Sequence, residues 1–212
     1  MTFFKYKLME ENNKILDKKI KVAFIGDIGV GKTLLYMRVN NLLNNKEDYK
    51  SPNDFIYQKD NLINNTTKNG CLIYEKIIKI EKEKKCSLEL WDLSNNLNTM
   101  RFNRFPITRK FYFTNDAQII IICCEPRETK SIETMKMLYN ISKVRADPNA
   151  VFVLCVTKSD LNYTEDELKD IKQFAIDNRL ELINTSSFKD EFGLEDKIFK
   201  DLIIKYNNKN LK

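Results

Sequence analysis

The sequence predicts an α/β fold with a mostly parallel six-stranded sheet, one antiparallel edge, and helices on both faces. Continuous apolar runs, typical of strands that are buried on both faces, alternate with segments whose apolar residues recur at helical spacing. Such regular alternation predicts crossover connections between parallel strands. The chain has 212 residues, of which 42% are hydrophobic, and this is enough for one core of this kind.

The first half of the chain supplies a strand, a helix and a hairpin. Residues 19–27 form an apolar run that ends at a glycine and predict a strand, and leucines on one helical face predict a helix over residues 31–43. The Asn-, Lys- and Asp-rich stretch 44–69 predicts a long loop. Residues 71–81 and 85–91 are β-type segments separated by a Lys/Glu turn, so they predict the hairpin that supplies the antiparallel edge.

The second half continues the alternation. Residues 117–124 read A-Q-I-I-I-I-C-C and predict a strand covered on both faces, and residues 150–156 predict another. Helices are predicted over residues 129–145 and 164–178, the second of which opens with a T-E-D-E capping box. The remaining predicted elements are a strand over residues 180–184 and a helix over residues 194–206.

Composition limits the classes of partner. We expect one domain over residues 18–208, an N-terminal extension over residues 1–17 and a short tail over residues 209–212. The formal charge is +6, but positive and negative residues alternate along the chain, so we expect no nucleic-acid partner. The N-terminus lacks the apolar stretch of a signal peptide, and neither end carries a lipidation motif. These features predict a cytoplasmic protein that reaches membranes only through a partner.

The cysteines do not form a predicted metal site. The chain contains five cysteines and no histidine, so no Cys/His set is available. Cys123, Cys124 and Cys155 lie within apolar runs, and we expect buried free thiols there.

Residues 26–33 read G-D-I-G-V-G-K-T and match a phosphate-binding loop of the form G-x-x-x-x-G-K-[ST]. Glycines let backbone N–H groups turn toward a phosphate, the lysine reaches the β- and γ-oxygens, and the threonine hydroxyl ligates Mg²⁺ at a helix N-terminus. The motif follows a predicted strand and opens a predicted helix, as this chemistry requires. The candidate residues are Asp27, Ile28, Gly29, Val30, Gly31, Lys32 and Thr33.

A second motif, Thr157-Lys158-Ser159-Asp160, follows directly after a predicted buried strand. A carboxylate at Asp160 can accept hydrogen bonds from both N1–H and the exocyclic N2–H of guanine, whereas adenine offers no such pair. The stem of Lys158 can cover the face of the base. The motif resembles the [NT]KxD element of GTP-binding proteins, with Thr157 in the place often held by asparagine.

Further segments extend this resemblance. Residues 184–188 read N-T-S-S-F and resemble the ETSAK element, which implies guanine contacts at Ser186, Ser187 and Phe188. Residues 88–92, L-E-L-W-D, are similar to the LQIWD strand of Rab proteins, and residues 107–112, I-T-R-K-F-Y, to their ITRSYY segment. The chain thus resembles a Ras-like P-loop GTPase, with Rab as the nearest branch. The resemblance implies GTP or GDP with Mg²⁺ as cofactors, and effector and exchange-factor proteins as partners.

The resemblance also exposes departures in the two switches. It implies that Asp92 holds the Mg²⁺ water shell and that Thr67, with a shift of one residue, is the switch threonine that ligates the metal. Asn95 stands where the family has the glycine that senses the γ-phosphate, and Asn96 where it has the glutamine that positions water. A branched side chain at Ile28 would crowd the γ-phosphate, unless it packs outward from the loop. We therefore expect Lys32 with a degenerate Asn96 site to hydrolyse GTP slowly.

Three functions remain open from the residues alone. The first is a guanine-nucleotide switch in membrane traffic or signalling, in which two loops respond to GTP. The second is a pseudo-GTPase that holds nucleotide without turnover, which Asn95, Asn96 and Ile28 favour. The third, a small-molecule kinase or ATPase on the same phosphate loop, predicts an arginine-rich lid that the segment after Lys158 lacks.

Overall fold

A computed structural model of the chain describes residues 19–40, 72–81, 84–92, 114–187 and 196–210. These residues form six strands in one sheet, in agreement with the predicted fold class. All six residues of the fourth strand are buried, which accounts for its unbroken apolar sequence. The strands are β1 (Ile20–Gly26), β2 (Leu72–Glu81), β3 (Lys84–Asp92), β4 (Ile119–Cys124), β5 (Val151–Val156) and β6 (Glu181–Asn184).

Four α-helices accompany the sheet in the described part of the chain. One of them begins with the predicted capping box: the Thr164 hydroxyl accepts from Glu167 N at 3.3 Å, and Thr164 N donates to the Glu167 carboxylate at 2.7 Å. Within the described ranges, no helix combines the length and apolar character that a membrane span requires. The helices are α1 (Lys32–Val39), α2 (Thr129–Arg145), α3 (Glu165–Asp177) and α4 (Asp196–Asn210).

The order of strands across the sheet is β2-β3-β1-β4-β5-β6. Only the β2–β3 hairpin is antiparallel, and the other four strand pairs are parallel. The carboxyl ends of β1, β3, β4 and β5 therefore lie along one edge of the sheet. The register places Asp92 beside Phe24 and Cys123 beside Gly26, so the ends of three strands meet there. Ligands of open parallel sheets bind beyond this edge.

Two apolar cores lie on the two faces of the sheet, as alternate residues of β1 demonstrate. Val22 and Phe24 pack with α1 and α4, and Phe24 meets the ring of Tyr36 edge-to-face at 6.0 Å. Ala23 and Ile25 pack with α2 and α3 on the other face. Covering both faces explains why the central strands are uniformly apolar.

The last helix ends four residues beyond its predicted end. Three of residues 207–210, N-N-K-N, are asparagine, a weak helix former, but long-range bonds hold the final turn. Lys209 Nζ donates to the carbonyl oxygen of Ala150 at 2.9 Å, and Asn149 donates to the amide oxygen of Asn210 at 2.8 Å. Tertiary contacts therefore outweigh the local propensity.

Candidate functional site

The loop between β1 and α1 begins at Gly26, where any side chain would force the backbone of β1 and β4 to shift. A Cβ on Gly26 would lie 2.3 Å from the carbonyl oxygen of Cys123 on β4, and the residue has φ +153°. Gly31 precedes α1 with φ +91°, in the left-handed region that favours glycine. The loop therefore turns sharply from the end of β1 into a helix N-terminus, which is the backbone form that an anion requires.

Lys32 is a buried cation at this turn, with 3% of its surface exposed. Its ammonium donates to the carbonyl oxygen of Asp27, five residues back in the loop. Burial lowers the pKa of Lys32, whereas Cys123, Asp92 and Asp27 act in the opposite direction. A desolvated ammonium gains most from a charged partner, so the pocket fits an anionic group such as a phosphate.

Thr33 and Asp92 supply oxygen atoms near the same strand ends. Thr33 is 8% exposed and Asp92 is 1% exposed. Hydroxyl and carboxylate oxygens suit Mg²⁺, which keeps several water ligands and usually takes others from phosphates. In the described residues, no group of three or more His, Cys, Asp or Glu side chains forms a metal cage. The arrangement therefore fits a metal that is shared with a bound phosphate.

Thr157 fastens the second motif to the phosphate loop. Its side chain is buried, and the hydroxyl donates to the carbonyl oxygen of Val30 at 2.6 Å. The carbonyl oxygen of Cys124 is a second acceptor, 3.1 Å from the same hydroxyl. Its backbone N–H also donates to Cys124 at 3.0 Å. The two loops, which are about 125 residues apart in the chain, are thereby held together by one side chain.

The Asp160 carboxylate is oriented by the loop after β6. The hydroxyl of Ser186, which is fully buried, donates to Asp160 Oδ1 at 2.7 Å. Ser159 N donates to the carbonyl oxygen of Thr185 at 3.0 Å and links the same two loops through the backbone. Within the described part of the chain, the other carboxylate oxygen, Oδ2, makes no hydrogen bond to protein, so Asp160 can accept from a ligand while keeping its orientation.

One cavity of about 160 Å³ brings the predicted motifs together. Its lining combines the start of α1, the second motif and the loop after β6. Arg38 on α1 donates to the carbonyl oxygen of Ser187 at 2.5 Å and so links α1 to the loop after β6. The lining residues are Gly31, Leu34, Thr157, Lys158, Asp160, Leu161 and Ser187.

Comparison with family models gives one match, described as the Ras of Complex, Roc, domain of DAPkinase, over residues 21–160. The matched range includes the phosphate loop and ends at Asp160, and it covers about two thirds of the 212-residue chain. The chain belongs to the Roc family. Roc is a Ras-like GTP-binding domain, so the predicted small-GTPase superfamily is confirmed, whereas the Rab branch is not. No curated protein matches the chain.

Several features of this Roc domain were missed in the sequence. Leu34 and Leu161 line the cavity without belonging to either motif. Glu125 and Tyr163 lie behind the second motif: the Tyr163 hydroxyl donates to the carbonyl oxygen of Thr157 at 2.9 Å and lies 3.3 Å from Glu125 Oε1. Burial, and then Glu125, raise the pKa of Tyr163. An acidic residue directly after the apolar run 117–124 was the signal that could have drawn attention to Glu125.

Some predicted site residues of the Roc domain are not brought together by the described part of the structure. Thr67, Asn95, Asn96 and Phe188 lie outside the described residues. Ile28 has 50% of its surface exposed, which agrees with the alternative that its side chain packs outward from the loop.

Proposed function

We propose that this Roc domain is a guanine-nucleotide-dependent switch that binds GTP and GDP with Mg²⁺. The carrying observation is the Asp160 carboxylate, which Ser186 orients at a cavity that also includes Gly31 of the phosphate loop. A single nucleotide could then place its phosphates at residues 26–33 and its base beside Asp160.

Guanine is favoured because of the hydrogen-bonding pattern of a carboxylate. Asp160 accepts hydrogen bonds only, and guanine presents two adjacent donors, N1–H and N2–H, on one edge. Leu34 and Leu161 add apolar surface to the cavity, and the Lys158 stem can cover one face of the base. Adenine would leave the carboxylate without the pair of donors, so ATP is expected to bind poorly.

The phosphate half of the site supports a magnesium nucleotide. The Lys32 ammonium is positioned to neutralise phosphate oxygens, and Thr33 and Asp92 are positioned to hold the metal directly or through water. When bound, Mg²⁺ supplies charge neutralisation at the β- and γ-phosphates. Burial of all three side chains means that few water molecules compete with the nucleotide for them.

We propose slow hydrolysis of GTP on the basis of Asn96. An asparagine is one methylene shorter than the glutamine that positions attacking water in Ras-like proteins, whose unaided rates are already on the order of 10⁻⁴ s⁻¹. A pseudo-GTPase is the second candidate, favoured by Asn95 and Asn96 together. Single-turnover hydrolysis of bound GTP separates the two: measurable product supports a slow GTPase, and intact GTP after many hours supports the pseudo-GTPase.

The cellular part of the proposal rests on the switch mechanism. Effector and exchange-factor proteins would read and reset the nucleotide state, in a cytoplasmic setting or at a membrane that a partner provides. The Rab-like segments at residues 88–92 and 107–112 are the basis for proposing a role in membrane traffic or signalling.

Competition binding with a fluorescent GDP analogue tests the proposal. We expect GTP and GDP to displace the analogue at concentrations far below those of ATP. Lys32→Ala is expected to weaken GTP binding by about tenfold to a hundredfold, since a charge-assisted hydrogen bond contributes about 1.5–3 kcal/mol. Lys169→Ala, at an exposed position of α3, is the matched control. Equal affinity for ATP and GTP would contradict the proposal.

A further inference from the structure

Glu125 is a buried carboxylate that neither nucleotide-binding motif contains. It follows β4 directly and is 6% exposed. Its backbone N–H donates to the hydroxyl of Ser131 at 2.9 Å, and its Oε1 accepts from Arg127 N at 3.2 Å. These bonds fix both the backbone and the carboxylate at the turn between β4 and α2. Burial of a carboxylate is unfavourable unless it is paired, so a buried negative charge in this position is expected to have a partner.

The carboxylate faces the second motif. Glu125 Oε2 lies 3.9 Å from the ammonium of Lys158, and Oε1 lies 3.3 Å from the hydroxyl of Tyr163. That hydroxyl also donates to the carbonyl oxygen of Thr157 at 2.9 Å. Glu125 therefore contacts the side chain of one motif residue and, through Tyr163, the backbone of another.

Among the described residues, Lys158 is the cation that forms an ion pair with this carboxylate. The Arg127 guanidinium is directed to Glu167, with Nε 2.6 Å from the carboxylate, and it lies 5.2 Å from the centre of the Tyr163 ring. The Lys158 side chain is 39% exposed and the Glu125 side chain 8% exposed. One partner of the pair is thus shielded from water, which strengthens the attraction relative to a fully exposed pair.

The position of this pair relates it to the cavity. Lys158 is one of the cavity-lining residues, and its backbone has φ +56°. A carboxylate that attracts the ammonium restricts the rotamers of a side chain that is otherwise long and flexible. The aliphatic stem is then held beside the cavity while the side chain stays partly exposed.

We propose that Glu125 is a positioning residue of the base pocket, which holds Lys158 against the bound base through its carboxylate. The inference rests on the proposed function, because the base in question is that of the guanine nucleotide. Glu125 does not touch the nucleotide. Its contribution to affinity passes through Lys158, and Tyr163 supports the same loop from the same side.

A double-mutant cycle on the full chain tests this inference. The proteins are the wild type, Glu125→Gln, Lys158→Met and the double variant, and the measured quantities are the GDP dissociation constant and the GDP release rate. Glutamine keeps an oxygen that can accept from Arg127 N, so the substitution removes chiefly the charge. Glu128→Gln is the matched control, because it makes the same charge change at an exposed position three residues away.

We expect Glu125→Gln to weaken GDP binding by about threefold to tenfold when Lys158 is present, and by less than about twofold in the Lys158→Met background. The loss should shrink at high salt, since it is electrostatic. Equal losses in both backgrounds would overturn the inference, because Glu125 would then act on the fold and not on Lys158. If Glu125→Gln does not fold, Glu125→Asp takes its place in the cycle, because it keeps the charge but withdraws it by one methylene. It is expected to give a smaller loss of GDP affinity with the same dependence on Lys158. Failure of the wild type to bind GDP would instead contradict the proposed function.

Discussion

Replacement of Gly26 by alanine probes the close approach of the phosphate loop to the sheet. The new Cβ would lie 2.3 Å from the carbonyl oxygen of Cys123, whereas Cβ atoms essentially never approach within 3.0 Å. The difference, 3.0 − 2.3 = 0.7 Å, is the least distance by which β1 and β4 would have to separate. The obstacle is backbone in a paired strand, so no side-chain rotation can relieve it.

The expected loss of stability combines two contributions. Overpacking of a core contributes about 1–3 kcal/mol, and forcing a non-glycine residue into a rare backbone conformation contributes a further 1–3 kcal/mol or so. We therefore expect Gly26→Ala to lower the free energy of unfolding by about 3 kcal/mol or more. Gly29 is the matched control, because it has φ +80° but nothing within 4 Å of an added Cβ. Gly29→Ala should lose only the backbone contribution, about 1–2 kcal/mol.

Urea unfolding of both variants without nucleotide measures the difference. With a denaturant slope of about 2 kcal/mol/M, the unfolding midpoint of Gly26→Ala should fall by about 1.5 M, and that of Gly29→Ala by less than about 1 M. Equal shifts in the two midpoints would refute the argument, since the contact with Cys123 would then contribute nothing.

Two further predictions concern the buried polar groups. Thr157→Val keeps the side-chain shape but removes the hydroxyl that donates to Val30. We expect a loss of about 1–2 kcal/mol in the free energy of unfolding, together with weaker GDP binding. Unchanged values for both quantities would show that the loops are joined by other contacts. Burial raises the pKa of Cys124, and a hydrogen bond with Cys155 together with burial raises the pKa of Cys123. Each neutral thiol therefore contributes fully to the free energy of unfolding below the ordinary thiol pKa of 9.0. This contribution is lost at higher pH, where the unfolded chain releases the thiol protons. Burial also raises the pKa of Cys86, to about 11. From about pH 8 to about pH 10 the free energy of unfolding should therefore fall by about 4 kcal/mol in reducing buffer, and Cys124→Ala should remove about a third of that decline. A flat profile would contradict the burial of these thiols.

The sequence was sufficient where a local pattern carried the information. Apolar runs predicted the strands to within one or two residues, and the T-E-D-E segment predicted the capping box at Thr164. The burial of Cys123, Cys124 and Cys155 as free thiols was likewise predicted and is confirmed. In each case, the interaction that determines the structure lies within one helix or strand, or depends only on the burial of apolar residues.

Long-range contacts were not predictable in the same way. The bond from Thr157 to Val30 and that from Arg38 to Ser187 join residues more than a hundred positions apart, and no local pattern encodes either. The final turn of α4 depends on Lys209 reaching Ala150. Glu125 was missed for a related reason: its position after an apolar run is visible in the sequence, but its partner Lys158 belongs to another loop that the sheet brings close.

The affinity of the protein for guanine and xanthine nucleotides, before and after Asp160→Asn, tests whether Asp160 reads the base. Xanthine carries an oxygen at C2 that needs a donor, which asparagine supplies and aspartate does not. We predict that the wild type prefers GDP to xanthosine diphosphate by about a hundredfold, and that Asp160→Asn reverses this preference. Asp170→Asn, at an exposed position of α3, should leave it unchanged. If Asp160→Asn keeps the wild-type preference for GDP, Asp160 does not contact the base and the proposed nucleotide site is wrong.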